Sequence, residues 1–176
     1  MKLCQIAYRF TVCAIPLFFS PLALGQTCVA GTEASNPTSV YAIDSVNGTV
    51  TDTRTGLMWD RCPRGQSGGD CATGGAGGYT WQGALDGVAT VGTYKGFNDW
   101  RLPNVRELRS LVEECRRAPS INEFAFPNTP LLFFWSGSPS AGGAANAWFV
   151  EFQDGVGNTV SRSNASGRVR LVRAGQ

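Results

Sequence analysis

Asn98-Asp99-Trp100-Arg101-Leu102-Pro103-Asn104-Val105-Arg106-Glu107-Leu108-Arg109-Ser110-Leu111-Val112 changes character at its middle. Pro103 has a fixed φ and no backbone N–H, so the chain turns there. Asn104 then stands where a helix N-cap belongs, and Glu107, three residues on, completes an Asn-x-x-Glu capping box. Leu108, Leu111 and Val112 form one apolar stripe, which predicts a helix ending near residues 116–117 with Arg106, Arg109 and Glu113 turned away. Before the proline, Trp100 and Leu102 alternate with Asp99 and Arg101, as two apolar pegs of a loop locked to a core. Asp99, Trp100, Arg101, Pro103, Asn104 and Glu107 are therefore read as structural, and as the centre of the fold.

Upstream, Lys2 and Arg9 precede a short apolar run over residues 10–19, and Ala23-Leu24-Gly25 offers small residues at a cleavage site. Residues 1–25 read as a secretory signal, the run being too short for a membrane span. Removing it takes away the basic excess and leaves thirteen charges of each sign. A general grip on nucleic acid or another polyanion is thus not indicated. Residues 26–39 read as a flexible leader and 40–176 as one domain. The mature chain contains no apolar run long enough to span a bilayer.

Export suits the cysteines. Cys4 and Cys13 leave with the signal, and Cys28, Cys62, Cys71 and Cys115 allow three pairings. Because Cys62 and Cys71 bracket a glycine-rich loop, Cys62–Cys71 with Cys28–Cys115 is the favoured pattern. Closing the local ten-residue ring is worth about 2.5–3 kcal/mol in the chain-entropy model. Zinc is the rival reading, but there is no Cys-x-x-Cys pair and no histidine.

The remaining elements follow from pattern. Residues 40–43, 49–51 and 57–59 are short strands around the turns at Asn47-Gly48 and residues 52–56, the last burying at least one large side chain, with Trp59 read as structural. Half of residues 65–78 are glycine, giving neither helix nor strand; a phosphate-binding loop would need a following Gly-Lys-Ser/Thr, which is absent. Thr80 caps a helix over residues 81–88 led by Trp81. Ile121, Phe124 and Phe126 are expected in the core. Residues 132–135, with Trp135, form an apolar strand followed by Ser136-Gly137-Ser138-Pro139. Residues 147–153 alternate, Trp148, Val150 and Phe152 on one face and Phe149, Glu151 and Gln153 on the other, before a hairpin turn at Asp154-Gly155. A last strand over 169–172 sets Val169 and Leu171 against Arg170 and Val172. Helices early and sheet late give an α+β domain.

Missing histidine excludes the Ser–His–Asp and Cys–His nucleophile arrangements. Among carboxylates, Glu113 and Glu114 are adjacent and point apart, while Asp99 and Glu107 serve the turn and the cap, so glycosidase-type pairing is not expected. No calcium loop is present, and no cofactor or metal is implied. Arg162, Arg168, Arg170 and Arg173 read as a solvated sheet face, with an anion patch as the alternative. Asn47-Gly48-Thr49 and Asn164-Ala165-Ser166 are formal glycosylation sequons.

The ordered blocks at residues 50–59, Thr80-Trp81-Gln82, 99–108, Phe134-Trp135-Ser136-Gly137-Ser138-Pro139, 147–155 and 169–173 resemble the domain at the C-terminus of legionella collagen-like adhesins, the Lcl C-terminal domain. The resemblance implies a C-type-lectin-like fold in which N- and C-terminal strands pair and two helices flank a mostly antiparallel sheet. It also implies surface binding, since those adhesins bind sulfated glycans as trimers. The tail further resembles the fixed framework of proteins diversified by retroelements, with 141–146 and 153–168 as the varied segments. Small adaptable residues mixed with an aromatic and an arginine also suit a binding loop on physical grounds. Asn146, Phe149, Glu151, Gln153, Asp154, Asn158, Ser161, Arg162, Ser163, Asn164 and Arg168 are the candidate ligand-binding residues. The expected protein is a secreted, periplasmic or surface module for a glycan or protein ligand, with no catalysis. An envelope component, or an enzyme related to formylglycine-generating folds, is the alternative.

Overall fold

The computed structural model describes residues 28–175; the segment read as a secretory signal lies outside them. In chain order the elements are β1 (Tyr41–Asp44), β2 (Thr49–Asp52), β3 (Leu57–Asp60), β4 (Gln66–Ser67), β5 (Thr73–Gly74), α1 (Trp81–Ala89), α2 (Val105–Arg109), β6 (Phe133–Pro139), β7 (Asn146–Glu151), β8 (Gly157–Ser161) and β9 (Val172–Ala174). Antiparallel sheets dominate, joined by two short helices, which makes the domain α+β. β4 and β5 form a minimal hairpin inside the glycine-rich loop, where no strand was expected.

Turn chemistry sets the first sheet. Gly48 and Gly56 adopt φ of +67° and +69°, conformations open to glycine, and let β1, β2 and β3 fold back on one another. The chain returns more than a hundred residues later to lay β9 beside β3, pairing Trp59 with Val172. On the far side of β9, Arg101 exchanges both backbone hydrogen bonds with Val172, at 2.9 and 3.0 Å. The Asp-Trp-Arg loop thus extends the sheet past the last strand. Trp100 and Leu102 are buried, as their alternation predicts.

β6, β7 and β8 make a second sheet with β7 in the middle. Both its faces are covered. Phe134 and Val150 join Trp59, Leu108, Leu111, Ile121, Phe126, Phe152 and Val172 in one apolar cluster. Trp135 and Ala147 join Ala84, Val88, Trp100, Leu102, Val169 and Leu171 in a second. β6 runs on through Ser136-Gly137-Ser138-Pro139, beyond the residues 132–135 expected for it, with an irregularity between Trp135 and Pro139. The strand expected over residues 169–172 is confined to Val172–Ala174, although Val169 and Leu171 do face away from Arg170 and Val172.

The capping box forms: Glu107 N–H donates to Asn104 Oδ1 at 2.9 Å, and Asn104 N–H to Glu107 Oε2 at 2.7 Å. The helix it starts is shorter than its stripe suggests, ending at Arg109 with Ser110 as C-cap. Beyond that point the backbone pairs sideways, Val112 bridging Ile121 and Glu113 N–H donating to Ser120 O at 2.9 Å. Glu113, expected to face solvent, is fully buried. Its carboxylate accepts from Ser35 N–H and Asn36 N–H, both at 2.8 Å, and from the Ser35 hydroxyl at 2.9 Å. Burial pushes this carboxyl up, but the donors from Asn36, Ser35 and Cys115 outweigh it and hold it below the ordinary range. Cys28–Cys115 closes beside this clasp, and Cys62–Cys71 closes the loop. The segment before β1, read as a leader, is therefore tied to the body at residues 28, 35 and 36.

Two further expectations change. Phe124 is 68% exposed, with only Ile121 and Phe126 of that trio in the core. Trp148 is half-buried and belongs to neither cluster.

Candidate functional site

The four C-terminal arginines separate into two interior and two surface groups. Arg170, expected on a solvated face, is fully buried. Its guanidinium lies 4.9 Å from the Phe126 ring and 5.7 Å from that of Phe134. Nη1 donates to the carbonyls of Asp60 (3.0 Å) and Arg61, and Nη2 to Thr129 Oγ1 at 2.8 Å. Burial pulls the group down to about 10, leaving it cationic at neutral pH. Arg173 is also buried, stacked 3.8 Å from the Phe97 ring with Nε on Asp99 at 2.6 Å. That contact holds the exposed Asp99 carboxyl below its ordinary range. Glu107 is likewise lowered, first by its bidentate pairing with Arg101 at 2.7 Å. Asp99, Glu107 and Glu113 thus each have a structural partner.

Arg162 has a different setting. Its guanidinium carbon lies 4.3 Å from the Trp81 ring, and Nε donates to Asn146 O at 3.1 Å. Among the described residues, its two Nη groups have no hydrogen-bond partner. Three backbone contacts fix this stack. Arg162 N–H donates to Ala145 O at 2.8 Å, Trp81 N–H to Arg162 O at 3.0 Å, and the Trp81 indole N–H to Ser136 O at 2.8 Å. The first turn of α1 is thereby pinned to the end of the β7–β8 hairpin. A rigid aromatic platform carrying an open guanidinium fork suits a planar anion, an amide or a sugar face.

Register gathers some of the predicted ligand-binding residues here. Asn146 pairs with Ser161, and the Ser161 and Ser163 hydroxyls lie 2.8 Å apart. Asn164 Oδ1 accepts from Ser166 N–H at 2.9 Å, closing the turn that follows. Arg168 lies just beyond, its backbone bonded on both sides to β6 and its Nη1 donating to Ser166 O at 2.9 Å. Between them Gly167 passes so close to Trp135 that an added Cβ would sit 2.2 Å from the indole nitrogen.

Other predicted residues lie elsewhere. Glu151, Gln153 and Asp154 mark the opposite end of the hairpin, where Gln153 O accepts from Ala118 N–H and Asp154 Oδ1 from Val156 N–H. At about 3.4 Å per residue, the length of β7 puts roughly 17 Å between the two ends. Asn158 sits between them, opposite Phe149. Phe149 itself packs 5.0 Å from the Phe133 ring, half-buried against the second cluster. Trp81, read from the sequence as structural alone, is the platform under Arg162; the two are far apart in the chain and no local pattern links them.

Among the described residues, no helix is long and apolar enough to cross a membrane. There, the grouping that could hold a metal is Cys28, Glu113 and Cys115, whose two sulfurs are joined to each other. A search of curated proteins finds no matching relative. The family model for the Lcl C-terminal domain matches residues 48–173, from the first hairpin through β9. The C-terminal strand pairs with β3 and not with the N-terminal strand β1, but the order of the blocks and that match agree: this chain belongs to the Lcl C-terminal domain family.

Proposed function

We propose that this is a secreted or surface-exposed, adhesin-like recognition module with a C-type-lectin-like fold, which binds a glycan or protein ligand without catalysis. The observation that carries this reading is the Trp81–Arg162 stack, half-buried and with both Nη groups unpartnered among the described residues, next to Asn146, Ser161, Ser163 and Asn164. Everything beneath it is fixed by backbone pairing and two apolar clusters, so ligand contact needs little reorganisation. The family's association with adhesins, the signal pattern and the two disulfides support an exported binding role. Pairing of β3 with β9 and the flanking helices support the lectin-like reading. In this reading the segments 141–146 and 161–168 are the tolerant surface, and Glu151, Gln153 and Asp154 form a second contact area at the far end of the hairpin.

The test is an array of neutral and acidic glycans, together with intact cells, probed with wild-type protein and with the Arg162→Ala and Asn146→Ala/Ser163→Ala variants. Retained signal for wild type and loss for the variants, at unchanged melting temperature, is the expected result. Binding indifferent to all three positions, or substrate turnover that depends on a carboxylate, would overturn the reading.

A further inference from the structure

A concavity lies away from the Arg162 surface, where the disulfide-closed loop, the end of α1 and the loop after it meet. It encloses about 370 Å³ and is lined by Asp60, Arg64, Thr90, Val91, Tyr94 and Leu171, with Gly65 at its edge. A neighbouring cleft of about 250 Å³ shares the Tyr94 wall and includes Lys95. Together they reach the size at which small molecules are held.

The walls are built rather than incidental. Asp60 N–H donates to Leu171 O and Arg64 N–H to Val169 O, both at 2.9 Å, so the floor continues the pairing of β3 with the C-terminal segment. Arg64 Nη1 donates to Gly87 O at 2.8 Å, fastening the loop to the last turn of α1. Nε and Nη2 of Arg64 have no partner among the described residues. Asp60 is buried and neutralised by Lys95, whose Nζ is 2.7 Å from Oδ1 and 2.6 Å from Gly48 O. Lys95 reaches there from a φ of +50°, a conformation that a lysine holds only when its surroundings enforce it. Gly48 must be glycine for this contact, since a Cβ there would lie 2.7 Å from Nζ. The Tyr94 hydroxyl also faces Asp60; burial first, then that carboxylate, raises its pKa.

One carboxylate against Arg64 and Lys95 leaves a net positive charge. The unused groups are chiefly donors, and Val91 and Leu171 add apolar wall. We propose that this cleft binds a small organic anion, its carboxylate on the free edge of Arg64 and its apolar body against Val91 and Leu171. The site is separate from the Arg162 surface and independent of what that surface recognises.

Fluorine NMR with para-fluorobenzoate as probe tests it on the full chain. Saturable binding with a Kd of about 1 mM is expected, a strength reasonable for so small a ligand. The neutral para-fluorobenzyl alcohol should bind at least about tenfold more weakly, and Arg64→Met should cost a similar factor. Val91→Asp, which leaves the Arg64–Gly87 bond alone, should give the same loss and serves if Arg64→Met does not fold. Arg162→Ala should leave benzoate binding intact, so the two sites fail separately. No saturable binding to wild type, equal binding of the alcohol, or binding unchanged in Val91→Asp would overturn the proposal.

Discussion

Arg170 and Arg162 are made of the same parts, a guanidinium laid on an aromatic ring, and they do opposite work. Around Arg170 two phenylalanines, two carbonyls and a threonine hydroxyl replace water almost completely. Around Arg162 one tryptophan supports the cation while its Nη groups stay open. A buried cation with both Nη groups bonded fixes one arrangement of the chain; a half-buried one with both Nη groups to spare is available to a partner. Burial, more than residue type, separates the scaffold arginine from the one proposed for recognition.

Four measurements would break or sharpen that contrast. The largest effect belongs to the interior: Arg170→Ala should lower unfolding free energy by about 4 kcal/mol, since it leaves a cavity and three unpaired acceptors. Arg170→Met, which keeps much of the volume, should lose less; equal losses in urea titrations would assign the effect to the hydrogen bonds alone. Next comes Glu113→Gln, expected to cost about 2 kcal/mol at neutral pH by weakening charge-assisted bonds to the segment before β1. Because the folded carboxyl is held below its unfolded value, its contribution is full above the ordinary carboxylate range and is lost as pH falls through the lowered one. The variant should therefore show a flatter decline of stability with acid, and an unchanged slope would refute the clasp. Asn104→Ala removes the N-cap of α2 and should cost about 1 kcal/mol in thermal unfolding. Smallest in stability is Arg162→Ala, at most about 1 kcal/mol, yet it should abolish ligand capture. Should Arg162→Ala unfold the domain instead, the two arginines would not differ in the way argued.

Local rules reached far along this chain. Asn-x-x-Glu after Pro103 announced the cap, Asn47-Gly48 and residues 52–56 announced two hairpin turns, and the bracketed glycine-rich loop announced Cys62–Cys71. Each depends on neighbours within ten residues. Where distant groups intervene, reading by period fails. The stripe through Leu111 and Val112 is helical in spacing, but Ser120 and Ile121 claim that backbone for pairing and the donors of Ser35 and Asn36 draw Glu113 inward. Phe124 is apolar yet sits on a bend whose backbone is held by Asn122, facing solvent.

The proposed binding surface was legible only in outline. Ser161, Ser163 and Asn164 were recognisable as small and adaptable and Arg162 as an anchor, and hairpin register brings Ser161 opposite Asn146. Register also carries Glu151, Gln153 and Asp154 to the opposite end, which alternation along one strand does not reveal. Phe149 looks like an exposed anchor until Phe133 is placed beside it.

Composition and short-range pattern determined the turns, the cap, the local disulfide and the α+β class, because each is governed by backbone conformational preference or by charge and polarity over a few residues. Which arginines enter the core, which tryptophan carries the surface cation and which carboxylate becomes a clasp were decided by tertiary structure. Those outcomes depend on desolvation, and how far a charged group is desolvated is set by neighbours that arrive from eighty or a hundred residues away.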